Sequence, residues 1–183
     1  MAYEKYELDG EIYYLIKGMW TDSHFTRVSS VEKAKLDKIR MSKLDLGAMD
    51  ISEIIEIAQN MKEDGDLIYA QKLFDEILKR SDDLRVIRNV FPRYTSVLRK
   101  LDKSRETIDL FEKNEYSYGK SIISPALLTS VAAAYCDTGD FIEARKKADY
   151  AMALSNGNAS KELISVYARI KSLEKPGSSK GSR

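Results

Sequence analysis

Three segments of this chain repeat one another at a spacing of 37 residues, and a repeat of fixed length admits few folds. Ile54 falls on Phe91 and Leu128, and Ile57 falls on Tyr94 and Val131. Ala58, Thr95 and Ala132 form a column of small residues, and Met61, Leu98 and Tyr135 form one of large residues. Their spacing of i, i+3, i+4, i+7 is the apolar stripe of one helix face. A turn column follows at Gly65, Asp102 and Gly139, residue types that tolerate left-handed backbone just after a helix. A second helix then repeats its own columns: Ala70, Thr107 and Ala144, next Phe74, Phe111 and Ala148, then Ile77, Asn114 and Ala151. One helix pair cannot cover its own apolar face, so stacked copies must bury it.

The register predicts a mainly α fold, a helical-hairpin repeat array over 49–174 with units near 51–84, 88–121 and 125–158. The stripe Leu163, Val166, Tyr167, Ile170 predicts one more helix over 161–174, capping the last unit. Pro92 falls inside the middle unit's first helix, where it should kink that helix or mark a later start.

Residues 1–30 read as a small β element, a hairpin or three-stranded meander. Tyr3 to Leu8 and Glu11 to Ile16 are strand-like around the hairpin signal Asp9-Gly10. Lys17-Gly18 offers a second turn before Met19-Trp20 and a short run from His24 to Val28. A helix and linker over 31–48 follow, the helix starting near Ser29-Ser30 with Glu32 in its first turn and ended by Gly47. Residues 175–183 read as a flexible polar tail.

The stretch from Ala134 to Ala144, Ala-Tyr-Cys-Asp-Thr-Gly-Asp-Phe-Ile-Glu-Ala, resembles the middle of a tetratricopeptide repeat, and so does Met61 to Ala70. Both carry that family's Gly-Asp-apolar run with an Ala five residues after the Gly. The period is 37 against about 34 in the family, and the middle unit lacks both the Gly and the Ala. The resemblance implies stacked helix pairs whose first helices line a groove for a partner protein. In this register Ile55, Gln59 and Lys62 face the groove from the first unit, Asn89, Ser96 and Arg99 from the second, and Thr129 and Cys136 from the third. Members that clamp a C-terminal carboxylate need several Lys, Arg and Asn aimed at one point. This set is too neutral for that, so an apolar or mixed peptide or helix is the expected ligand.

Other chemistry is sparse. At 183 residues and 43% hydrophobic the chain can bury a core. Although 32% of residues are charged, the net charge is +1, which provides no whole-molecule attraction to nucleic acid or anionic lipid. One Cys excludes an internal disulfide and a cysteine zinc cluster. The N-terminal residues lack a secretory pattern and no segment is apolar enough to span a membrane, so a cytoplasmic protein with no membrane partner is expected. His24 is the one histidine, and no nucleotide, zinc-protease or EF-hand motif occurs; no catalytic residue, metal or cofactor is expected.

Two other groups stand out. Arg85, Arg88, Arg93, Lys100 and Lys103, with Arg99 and Arg105, are opposed by Asp102 alone between Leu84 and Arg105. They read as a solvated face or as a basic patch for nucleic acid. Tyr13, Tyr14 and Trp20 lead an aromatic set that either caps the first repeat or anchors a partner. The expected function is a non-catalytic protein-interaction module or adaptor. A nucleic-acid-associated regulator, an accessory subunit of an enzyme complex and a self-associating scaffold remain open.

Overall fold

A computed structural model describes residues 3–16 and 19–174. Its elements run β1 (Glu4–Leu8), β2 (Glu11–Ile16), β3 (Met19–Thr21), α1 (Ser30–Lys43), α2 (Ile51–Asp64), α3 (Leu67–Arg80), α4 (Leu84–Lys100), α5 (Ser104–Tyr118), α6 (Pro125–Thr138), α7 (Phe141–Leu154) and α8 (Lys161–Glu174). The molecule is mainly α, with helical hairpins behind a small three-stranded antiparallel sheet. The expected tail at 175–183 and the turn at Lys17-Gly18 lie outside the described residues.

The repeat columns become the core. Ile54, Ala58, Phe91, Thr95, Leu128, Val131 and Ala132 are buried, as are Ala70, Thr107 and Ala144 on the second helices. Each turn after a first helix adopts one geometry. Gly65, Asp102 and Gly139 take φ of +87°, +59° and +84°. In each, the next amide bonds back to a carbonyl in the helix's last turn: Asp66 N to Met61 O at 2.8 Å, Lys103 N to Leu98 O at 2.9 Å, Asp140 N to Tyr135 O at 2.9 Å. These bonds satisfy carbonyls that a helix end leaves open. Asp102 does so without glycine's freedom, one of the few side chains that accepts this conformation.

From α2 onward each helix packs on the next, and α2 packs on α4, α4 on α6 and α6 on α8. A polar seam repeats with the array. Asp75, Glu112 and Asp149, 37 residues apart on α3, α5 and α7, each accept a hydrogen bond from a tyrosine of the following helix. The donors are Tyr94, Tyr135 at 2.8 Å and Tyr167 at 2.6 Å.

The middle unit's first helix begins at Leu84, before the expected 88, and runs through Pro92 to Lys100. Asp83 caps it, accepting from Arg85 N at 2.7 Å, which fixes the start well upstream of the proline. Helix α6 is buried from Leu127 through Cys136 because α4, α5, α7 and α8 all pack on it.

In the N-terminal unit, Asp9 and Gly10 have φ of +53° and +85°, the two-residue turn that matches strand twist. The third strand is Met19–Thr21, not His24 to Val28. Residues 22–26 form a loop in which Asp22 Oδ1 accepts from the amides of His24 and Thr26, and Arg27 makes a single bridge to Thr21. Ser29 and Glu32 form a reciprocal capping box at the start of α1. That helix ends at Leu44; Gly47 lies in a separate turn organised by Asp45. Tyr6, Tyr13, Leu15, Trp20 and Leu36 form this unit's own core. Lys33 ties it to the repeats by pairing with both Asp37, at 2.9 Å, and Asp66 of the α2–α3 turn.

Candidate functional site

The first helices of the pairs, with α8, share one face, and a groove of about 380 Å³ crosses it. Lys62 of α2, Asn89, Pro92, Arg93 and Ser96 of α4, Ala126 and Ser130 of α6, and Glu162 of α8 line it. The periodicity that buries Phe91 and Tyr94 turns Asn89, Arg93 and Ser96 to the opposite side of α4. Small residues on α6 keep the groove floor low, so side chains of α4 and α8 reach over that helix. Arg99 Nη1 donates to Glu162 Oε1 at 2.8 Å, joining positions 63 residues apart.

The groove carries positive charge. Lys62, Arg93 and Lys100 make no ion pair among the described residues; Arg93 bonds the neutral Asn89 side chain. Burial, then the charges of Lys100 and Arg93, pull the Lys62 ammonium below its ordinary range. Glu162 is engaged by Arg99, and Glu63 accepts from Gln59 Nε2 at 2.5 Å. Ser130, 2% exposed, leaves its Oγ without a hydrogen-bond partner among the described residues.

Of the residues expected to face a partner, Lys62, Asn89 and Ser96 meet in this groove, and Ile55 and Gln59 are half-buried on α2. Thr129 and Cys136 are buried. Thr129 donates to Pro125 O at 2.7 Å and borders a neighbouring depression of about 310 Å³ with Asn158, Ser160 and Leu163. Arg99 and Cys136 border a third, of about 650 Å³. There Asp137 gathers Arg99 Nε at 3.3 Å, Ser104 Oγ at 2.8 Å and Arg169 Nη2 at 2.6 Å, joining α4, α5, α6 and α8. The Cys136 thiol is pushed up by burial, which keeps it protonated. The register of the face missed Arg93 and Ser130, although Arg93 stands one helical turn beyond the expected Asn89 and Ser130 directly follows the expected Thr129.

The basic run divides. Lys103 pairs with Glu106 at 3.2 Å and Arg105 with Asp109 at 3.4 Å, whereas Arg85, Arg88 and Lys100 are exposed with no acid partner among the described residues. The aromatic set divides too. Tyr13 and Trp20 are core residues, Trp20 Nε1 donating to the buried Asp37 Oδ1 at 2.6 Å. Burial takes both out of the set of surface anchors. Half-buried Tyr14 remains at the surface between exposed Tyr3 and Phe25, with ring centroids 5.3 Å and 5.8 Å away.

Among the described residues, no three His, Cys, Asp or Glu side chains cluster as a metal site, and no helix is long and apolar enough to cross a membrane. No family model matches the chain, and no curated protein matches it.

Proposed function

We propose that this chain is a non-catalytic protein-interaction module, a divergent tetratricopeptide-type array of the cytoplasm that holds a partner segment along the face of α2, α4, α6 and α8. The observation that carries this reading is the groove itself, one depression to which four helices from successive units contribute polar side chains. Stacked helical pairs provide such extended surfaces because each unit adds one strip. The 37-residue register and the thrice-repeated left-handed turn support the same reading.

The test is affinity capture from the native cell with the full chain and its Ser96→Trp variant as parallel baits, after both are shown to melt alike. Partners held by the native chain and lost from the variant are expected. An identical set on both baits overturns the reading.

A second reading, nucleic-acid association through the middle unit, draws on Arg85 and Arg88, exposed and without acid partners among the described residues. It requires binding to an oligonucleotide that falls steeply with salt and is abolished by Arg85→Glu with Arg88→Glu. Absent or salt-independent binding removes it.

A further inference from the structure

The groove contains more donors than the chain itself uses. On one side stands the half-buried Lys62, on the other Arg93, with Lys100 close enough to act on Lys62 electrostatically. Below them lies the Ser130 hydroxyl, shielded from water and without a partner among the described residues. A buried hydroxyl left unpaired costs free energy, and a donor in that state is a position waiting for an acceptor. The Asn89 side-chain oxygen accepts from Arg93, which leaves the Asn89 amide hydrogens available. Two cations, an amide and a hydroxyl thus converge in the groove, while the nearby carboxylates, Glu162 and Glu63, already accept from Arg99 and Gln59.

The geometry points to a site for an anionic side chain, carboxylate or phosphoryl, of a partner peptide, held between Lys62 and Arg93 with Ser130 Oγ beneath it. This rests on the reading of the face as a protein-interaction surface and replaces the apolar or mixed ligand expected from sequence with an acidic one. Two features favour a peptide over nucleic acid. The groove is small, and its far wall is Glu162, which repels a second phosphate but accepts a backbone or side-chain N–H of a polypeptide. A single anion in place offsets the mutual repulsion of Lys62 and Arg93 and gives the hydroxyl its acceptor in one event.

The experiment is selection of a random dodecapeptide display library on the full chain, followed by fluorescence anisotropy with terminally blocked synthetic copies of the enriched sequences. Each is made in three forms: as selected, with every Asp and Glu amidated to Asn and Gln, and with phosphoserine at the acidic positions. Acid-bearing peptides are expected, weakened about 10-fold by amidation and by added salt. Lys62→Met and Arg93→Met each weaken the acidic form by about 10-fold and leave the amidated form unmoved; Ser130→Ala weakens it by about 3-fold. Lys113→Met, on an exposed position of α5, changes nothing. Tighter binding of the phosphoserine form assigns the site to a phosphoryl group, and weaker binding assigns it to a carboxylate. Peptides lost on Ser96→Trp but indifferent to amidation overturn the anion site and leave the interaction surface standing. Peptides unaffected by Ser96→Trp overturn both. Displacement of the acidic peptide by a 20-mer oligonucleotide at lower concentration than by the peptide itself overturns the assignment to a polypeptide.

Discussion

Tyr167 Oη donates to Asp149 Oδ1 at 2.6 Å, closing the boundary between α7 and α8 with the same bond that Tyr135 makes to Glu112 one unit earlier. Burial and then the bond to Asp149 push the Tyr167 phenol up to about 12. The folded value exceeds the unfolded one near 10, so the unfolded chain ionises first as pH rises. The contribution is complete below pH ~10 and is lost between there and about 12. Tyr167→Phe should flatten part of the fall in stability across that window in denaturant titrations. At neutral pH, Tyr135→Phe should cost about 1 kcal/mol and lower Tm by ~2–4 °C. An unchanged Tm would show that the seam holds nothing.

Asp102 occupies the left-handed position that glycine fills in the other two units. Asp102→Gly should stabilise the chain by up to ~1 kcal/mol, since the side chain's steric cost there disappears. The mirror change, Gly139→Ala, should destabilise by about as much. Chemical denaturation of the pair decides it: both shifts in one direction would refute the strain argument.

Asp137 draws donors from α4, α5 and α8. Burial works against its ionised form, but Ser104, Arg169 and Arg99 outweigh it and hold the carboxyl below the usual range. A depressed carboxylate stabilises above the unfolded pKa near 3.9 and loses that contribution as pH falls through the lower folded value. Asp137→Asn should therefore lower stability at pH 7 by about 1–2 kcal/mol and shrink the difference from the native chain below pH ~4. A constant difference across pH would assign the loss to packing.

Lys33 serves two carboxylates, the buried Asp37 and Asp66. Lys33→Met leaves Asp37 buried without its cation, a larger loss than a surface pair's ~0–1 kcal/mol. The N-terminal unit should then exchange its amide hydrogens faster while the core of α6 keeps its protection. Equal acceleration in both regions would contradict a local clasp.

The columns Ile54–Phe91–Leu128 and the turn at Asp102 were legible because each answers a rule that acts within one turn of chain: burial periodicity and left-handed tolerance. The tyrosine seam was not. Its acids do recur every 37 residues, but polar positions do not reveal a register. The donors Tyr94, Tyr135 and Tyr167 also fall at three different places in the 37-residue register. Thr129 and Cys136 followed the register of the face yet are buried, because α8 packs on α6 and Arg99 reaches Glu162 across it. Contacts over 63 residues leave no local trace. The site is legible in part for the same reason. Lys62, Asn89 and Ser96 follow from the register, whereas the idle hydroxyl of Ser130 emerges only once its neighbours are placed.

Because each unit packs its helices on its neighbours along the stack, with the Arg99–Glu162 pair reaching one unit farther, the array behaves under tension as springs in series. A load on its two ends is borne unit by unit, and a helix pair that yields releases roughly 120 Å of chain, at ~3.3–3.6 Å per residue over a 37-residue period. An optical trap should record steps of about that length. A protein built this way can stretch while the units that have not yet yielded keep their packing.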